Sequence, residues 1–127
     1  MTWPQTWTLP PLDADNYPLD PQDYLPRNKS SNAKTSSFVL AGFHVLYGFV
    51  VNSTNASAQY IQIFDATALP ADGAAPTLVF TVPATSDRAI EWVHPRYMRE
   101  GIVICNSSTF DTKTIGVSDC WFDVQYR

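Results

Sequence analysis

Between Phe43 and Phe64 the chain carries its longest largely apolar stretch, and this segment restricts the fold more than any other. Its first half, Phe43-His44-Val45-Leu46-Tyr47-Gly48-Phe49-Val50-Val51, is apolar at almost every position and rich in β-branched and aromatic side chains. A run of small, mostly polar residues from Asn52 to Ser57 reads as a turn. Gln59-Tyr60-Ile61-Gln62-Ile63-Phe64 then alternates polar with apolar. The pattern is a buried strand, a turn and a half-buried strand. A strand that is apolar on both faces must be covered on both, so further sheet has to pack over it.

The remaining strands follow the same logic. Ser37-Phe38-Val39-Leu40 reads as a short strand broken at Ala41-Gly42. The stretch from Thr77 to Val82 is a strand ended by Pro83, and Arg88 to Val93 is another. His94 to Glu100 reads as a mixed connection, Gly101 to Cys105 as a buried strand, and Cys120 to Tyr126 as an alternating one. Asp65 to Pro76 is a turn-rich connection with its tightest bend at Asp72-Gly73. Asn106 to Asp119 is a polar loop with room for a short strand near Lys113-Thr114-Ile115. The spacing predicts an all-β chain, an antiparallel β-sandwich of seven or eight strands, jelly-roll or immunoglobulin-like in topology.

Residues 1–35 differ in kind. Six of the ten prolines lie here, Pro4, Pro10, Pro11, Pro18, Pro21 and Pro26. Proline removes backbone donors and fixes φ, so neither a helix nor an interior strand fits this spacing. An extended proline-rich arm is expected, followed by a polar linker from Asn28 to Ser37. The domain division is therefore 1–35 for arm and linker and 36–127 for the sandwich. The arm also carries Trp3, Trp7, Leu9, Leu12, Tyr17, Leu19, Tyr24 and Leu25. Solvating tails are poor in aromatics. These eight side chains are accordingly the candidate partner-binding residues, laid along a neighbouring surface.

Composition narrows the function classes. At 127 residues there is chain for one modest core. The formal net charge of −4, with no basic stripe, argues against binding to a phosphate backbone. No apolar run is long enough for a transmembrane helix, and Met1-Thr2-Trp3-Pro4 lacks the start of a secretory signal. The Asn-X-Ser/Thr triplets at Asn28, Asn52, Asn55 and Asn106 read as ordinary turn residues.

Catalysis has little to stand on. His44 and His94 are the only histidines. One sits in an apolar strand as a core or interface residue, the other in an exposed loop, and neither has a metal-site spacing. Asp13-Ala14-Asp15-Asn16 and the Asp65–Asp72 loop lack the alternating oxygen ligands of a calcium loop and read as solvated turn carboxylates. No catalytic residue, metal or cofactor is expected. Trp92, Tyr97, Trp121 and Tyr126 form a group with two readings: core or subunit-interface aromatics, which is preferred, or an exposed glycan-binding platform. Cys105 and Cys120 lie on strands that would be close enough for a disulfide if they paired.

The body from about residue 43 resembles a family of small structural proteins that recur in tailed-bacteriophage genomes. The phrases that carry the resemblance are Tyr47-Gly48-Phe49-Val50-Val51-Asn52-Ser53, Tyr60 to Ala74, Gly101-Ile102-Val103-Ile104-Cys105-Asn106-Ser107-Ser108-Thr109, and Lys113 to Tyr126. The resemblance implies a non-enzymatic virion component, foremost a capsid cement or decoration protein. Such a protein would sit on the head surface and tie neighbouring subunits with its arm. Its partners would be the major capsid protein and neighbouring copies of itself, as a homotrimer, with neither nucleic acid nor membrane. A tail or fibre adaptor, or a host-glycan-binding module, is the alternative. A phage protein is made in the reducing cytoplasm of its bacterial host, which favours free thiols at Cys105 and Cys120 over a disulfide.

Overall fold

The computed structural model describes Leu12, residues 14–16 and residues 25–127. Of the arm side chains, Leu12 and Leu25 are exposed. Trp3, Trp7, Leu9, Tyr17, Leu19 and Tyr24 lie outside the described residues.

The described chain is all β, and none of it is helical. Its strands are β1 (Arg27–Ser30), β2 (Ser37–Ala41), β3 (His44–Ser53), β4 (Gln59–Asp65), β5 (Leu78–Val82), β6 (Asp87–Met98), β7 (Gly101–Ser107) and β8 (Cys120–Tyr126). They form two four-stranded antiparallel sheets, ordered β1-β8-β3-β6 and β2-β7-β4-β5. The pairings β1 with β8, β2 with β7, β3 with β6 and β4 with β5 are those of one long hairpin. Its closed end is the Ala66–Thr77 connection. Rolling that hairpin up brings β8 against β3 and β7 against β4 as well.

Alternation decides which side chains enter the space between the sheets. Leu46, Phe49 and Val51 of β3 meet Phe122 and Val124 of β8, and Ile61, Ile63, Ile102 and Ile104 face them from the other sheet. A smaller cluster lies on the opposite side of β4 and β7, where Phe64, Val103 and Cys105 are covered by Ala66, Leu69, Ala74 and Ile115. The turn-rich connection is thus part of the packing. It is fixed by an ion pair between Lys113, only 3% exposed, and Asp72. Around that pair Gly73 N donates to Lys113 O and Lys113 N donates to Ala74 O, at 2.7 and 2.8 Å.

Several sequence expectations change. Residues 27–30 were assigned to arm and linker, yet they form β1, so the sandwich begins at Arg27 and not at residue 36. β6 runs on through His94 and Pro95 to Met98, tolerating the proline because it is an edge strand with an irregular register opposite Tyr47. β3 and β4, neighbours in sequence, belong to opposite sheets. The short strand near Lys113 is a single bridge between Ser107 and Ile115. Of the four Asn-X-Ser/Thr asparagines only Asn55 occupies a turn. The others lie in β1, β3 and β7, and Asn106 is fully buried.

Candidate functional site

The outer face of the β1-β8-β3-β6 sheet is set by the alternation of β8. Cys120, Phe122 and Val124 point into the core, which turns Trp121, Asp123 and Gln125 outward. Cross-strand partners share a face, so the outward residues align in rows. Trp121 stands in line with Asn52 and Asp87. Asp123 stands in line with Ser30, Val50 and Ala89, and Gln125 with Asn28, Gly48 and Glu91.

A groove of about 450 Å³ runs over this face, lined by Pro26, Tyr47, Val50, Ala89, Glu91 and Gln125 together with Phe49, Ile90 and Trp92. Small residues keep its floor open. Gly48 cannot be anything larger, because a Cβ there would lie 2.5 Å from the carbonyl oxygen of Ile90. The register shift between Leu46 and Gly48 makes Tyr47 the extra residue of a β-bulge, which sets its ring at the groove.

The polar groups here are mostly satisfied by one another. Gln125 Nε2 donates to Asn28 Oδ1 at 3.1 Å, and Asn52 Nδ2 donates to Asp87 Oδ1. Arg127 Nη1 donates to the carbonyl oxygen of Leu25 at 2.9 Å, fixing the chain where it enters Pro26. Asp123 is the exception: its Oδ1 is buried and accepts no hydrogen bond.

A second surface lies along edge strand β6. Tyr97 is 73% exposed and rests against Phe43, itself 62% exposed, with ring centroids 6.0 Å apart. Val93, on the irregular part of the strand, is 92% exposed. Isolated apolar residues on a surface are ordinary, whereas an exposed ring pair, one ring on an edge strand and the other on the bend before β3, is a place for another surface to settle.

The four aromatics singled out from the sequence divide in two. Trp92 turns inward against Phe49 and Phe80, with the Arg96 guanidinium over its ring. Tyr126 is half-buried, edge-on to His44. Tyr97 and Trp121 are exposed. Tyr47, Asp123, Gln125 and Glu91 were not singled out. The signal for the middle two was present in Trp121-Phe122-Asp123-Val124-Gln125, where every second residue is polar or aromatic.

His44 Nε2 lies 3.2 Å from the carbonyl oxygen of Ala41, and His94 is exposed. Among the described residues no three His, Cys, Asp or Glu side chains gather as a metal would need. The loop carboxylates do structural work rather than standing free in solvent. Asp65 accepts from the backbone N–H groups of Arg99, Glu100 and Gly101 at 3.0, 2.7 and 3.2 Å. Partial burial opposes its charge, but those three donors and the nearby Arg99 outweigh it and hold the carboxyl below its ordinary range. Asp72 is held low by Lys113 and by the Ile115 N–H.

Cys105 and Cys120 are free and buried, on strands in opposite sheets rather than on paired ones. Burial pushes each thiol up to about 11. No protein-family model, characterised protein or solved structure matches the chain.

Proposed function

We propose that the protein is a non-enzymatic structural component of a tailed-phage virion, a cement or decoration protein of the head. Its sandwich rests on the lattice and the segment before β1 ties neighbouring subunits together. The observation that carries the reading is the exposed Phe43–Tyr97 pair, with Val93, along edge strand β6. This surface is built for contact, on a domain whose buried polar groups are spent on holding loops. Two further points support it. The body resembles small virion proteins in the phrases quoted above. The rolled hairpin is in our reading a jelly roll, an architecture found in viral capsid domains as well as in lectins. Fold alone does not fix function.

The test compares particles assembled with and without the protein. The protein is expected in purified heads, and its absence is expected to lower their resistance to heat. Phe43→Ser combined with Tyr97→Ser is expected to weaken attachment at least about tenfold, or ~1.4 kcal/mol. In solution a trimer of about 43 kDa is expected by light scattering, three times 14.2 kDa. Heads that lack the protein, or that are equally robust without it, refute the proposal.

A further inference from the structure

We propose that the outer face of the β1-β8-β3-β6 sheet, from the groove at Tyr47 across the row of Asp123 to Trp121 beyond the groove, binds a neutral oligosaccharide. Tyr47 and Trp121 stack on its sugar rings, and Asp123, Glu91 and Gln125 accept or donate to its hydroxyls. The inference does not depend on the virion reading and concerns the part of this face from Tyr47 to Trp121, apart from the Phe43–Tyr97 pair beside Val45.

Four observations lead to this ligand class. The groove, at about 450 Å³, falls in the size range of small-ligand sites. Its floor is apolar, from Pro26, Val50 and Ala89, while Glu91 and Gln125 stand at its side. That mixture fits a molecule with apolar ring faces and hydroxyl edges.

The second observation is Asp123, directly across from Val50 in the register. Its buried Oδ1 has no donor. A buried acceptor without a partner is costly. The side chain itself is only half-buried, so a turn of the carboxylate about its last bond brings this oxygen to the surface beside Val50, where a ligand hydroxyl donates to it. Third, the charged side chain lining the groove is acidic, Glu91, and Asp123 stands in the next row on the other side of β3. Phosphate, sulfate and uronic acids are repelled by this pair, so the ligand is neutral. Fourth, the aromatic groups are spread along the strands. Trp121 is 42% exposed and pairs with Asn52, five positions along β3 from Tyr47. At ~3.3 Å per residue this is about 17 Å, the reach of a short chain of rings rather than of a single sugar.

The test uses the full-length protein against a printed panel of neutral hexose and N-acetylhexosamine oligosaccharides. The best binder is then titrated by calorimetry at about 50 and about 500 mM salt. Binding to at least one member, with affinity unchanged by salt, is expected. Tyr47→Ala and Trp121→Ala are each expected to weaken it about tenfold or more, and Asp123→Asn severalfold. Val39→Ser, on β2 of the other sheet, is expected to leave it unchanged. Far-UV circular dichroism separates a lost site from a lost fold.

Silence across the panel overturns the proposal and leaves the groove to a protein segment, from this chain or a second copy. Binding that survives the Tyr47→Ala/Trp121→Ala pair overturns it by placing the sugar elsewhere. Affinity that collapses with salt, together with capture of an oligolysine peptide, overturns it in favour of a cationic partner.

Discussion

Replacing Asp65 tests how the β6–β7 crossover is held to the end of β4. Asp65 closes β4, and its carboxylate takes the N–H groups of Arg99, Glu100 and Gly101. Those residues form the short crossover that carries the chain from β6 in one sheet to β7 in the other. A hydrogen bond to a charged acceptor contributes ~1.5–3 kcal/mol when sheltered. Two of the three bonds here are exposed, so water recovers much of their energy, and the sum is discounted to ~2 kcal/mol for Asp65→Ala. Asp65→Asn keeps one carbonyl acceptor but turns an NH₂ toward a donor, so about half to the full loss is expected.

The pH dependence gives the sharper test. The folded carboxyl titrates below its ordinary value of 3.8. Between the folded and unfolded values the unfolded chain binds more protons, so stability rises with pH there. The contribution is present above pH 3.8 and is lost as pH falls through the folded value. Urea denaturation followed by tryptophan fluorescence measures it. At pH 7 the Ala variant is expected to lose about 1 M in midpoint, for an m-value of ~2 kcal/mol/M. As the acid range is entered, the gap between wild type and Asp65→Asn is expected to close. A gap at pH 7 within error of zero, or one that persists undiminished in acid, refutes the reasoning.

Gly48→Ala drives a methyl group into the Ile90 carbonyl oxygen and is expected to cost ~2–3 kcal/mol in the same denaturation assay. Gln62 is fully buried, and its Nε2 donates to the carbonyl oxygens of Thr109, Phe110 and Thr112 at 3.0 to 3.1 Å. Gln62→Glu turns a carboxylate on those oxygens and is expected to destabilise more than Gln62→Leu, with proteolysis beginning in the 108–114 loop. Both thiols are expected to ignore a thiol reagent at pH 8 in the folded protein and to titrate as two free sulfhydryls in denaturant. Because burial raises each from 9.0 to about 11, stability is expected to fall as pH climbs through that interval, read from thermal unfolding at pH 8 and pH 10.5.

The strands that declared themselves in the sequence are those whose burial is written in side chains. β3 and β7 are apolar runs, and each is largely or wholly buried. β4 alternates and reads as half-buried, yet it is buried on both faces because the 109–112 loop closes over Gln62. β1 could not declare itself, because Arg27-Asn28-Lys29-Ser30 is polar throughout and is held to β8 by backbone pairing. β6 continues through the stretch from His94 that reads as a mixed connection, because an outer edge strand tolerates Pro95. Partners across the roll were hidden for a different reason. Pairing is set by how a long hairpin coils, and periodicity along one strand carries no information about it. The outer-face site was half legible. Trp121 stands out as an aromatic, but the row that joins Asp123 to Val50 and Ala89 exists only once β8 lies between β1 and β3.

The β1–β8 pairing also governs how the molecule yields to force. Arg27, the first residue of the roll, is matched to Tyr126, next to the last residue of the chain, so both ends leave the body from one corner. Tension applied between the two termini therefore opens the pairs one at a time, beginning at Arg27–Tyr126 and ending at Ser30–Asp123. The ladder peels instead of shearing, and its rungs never share the load. Tension drawn from the N-terminal segment toward the far end of β8 pulls the same four pairs lengthwise and loads them together. The chain is weak to being opened at its own seam and strong to being dragged along it.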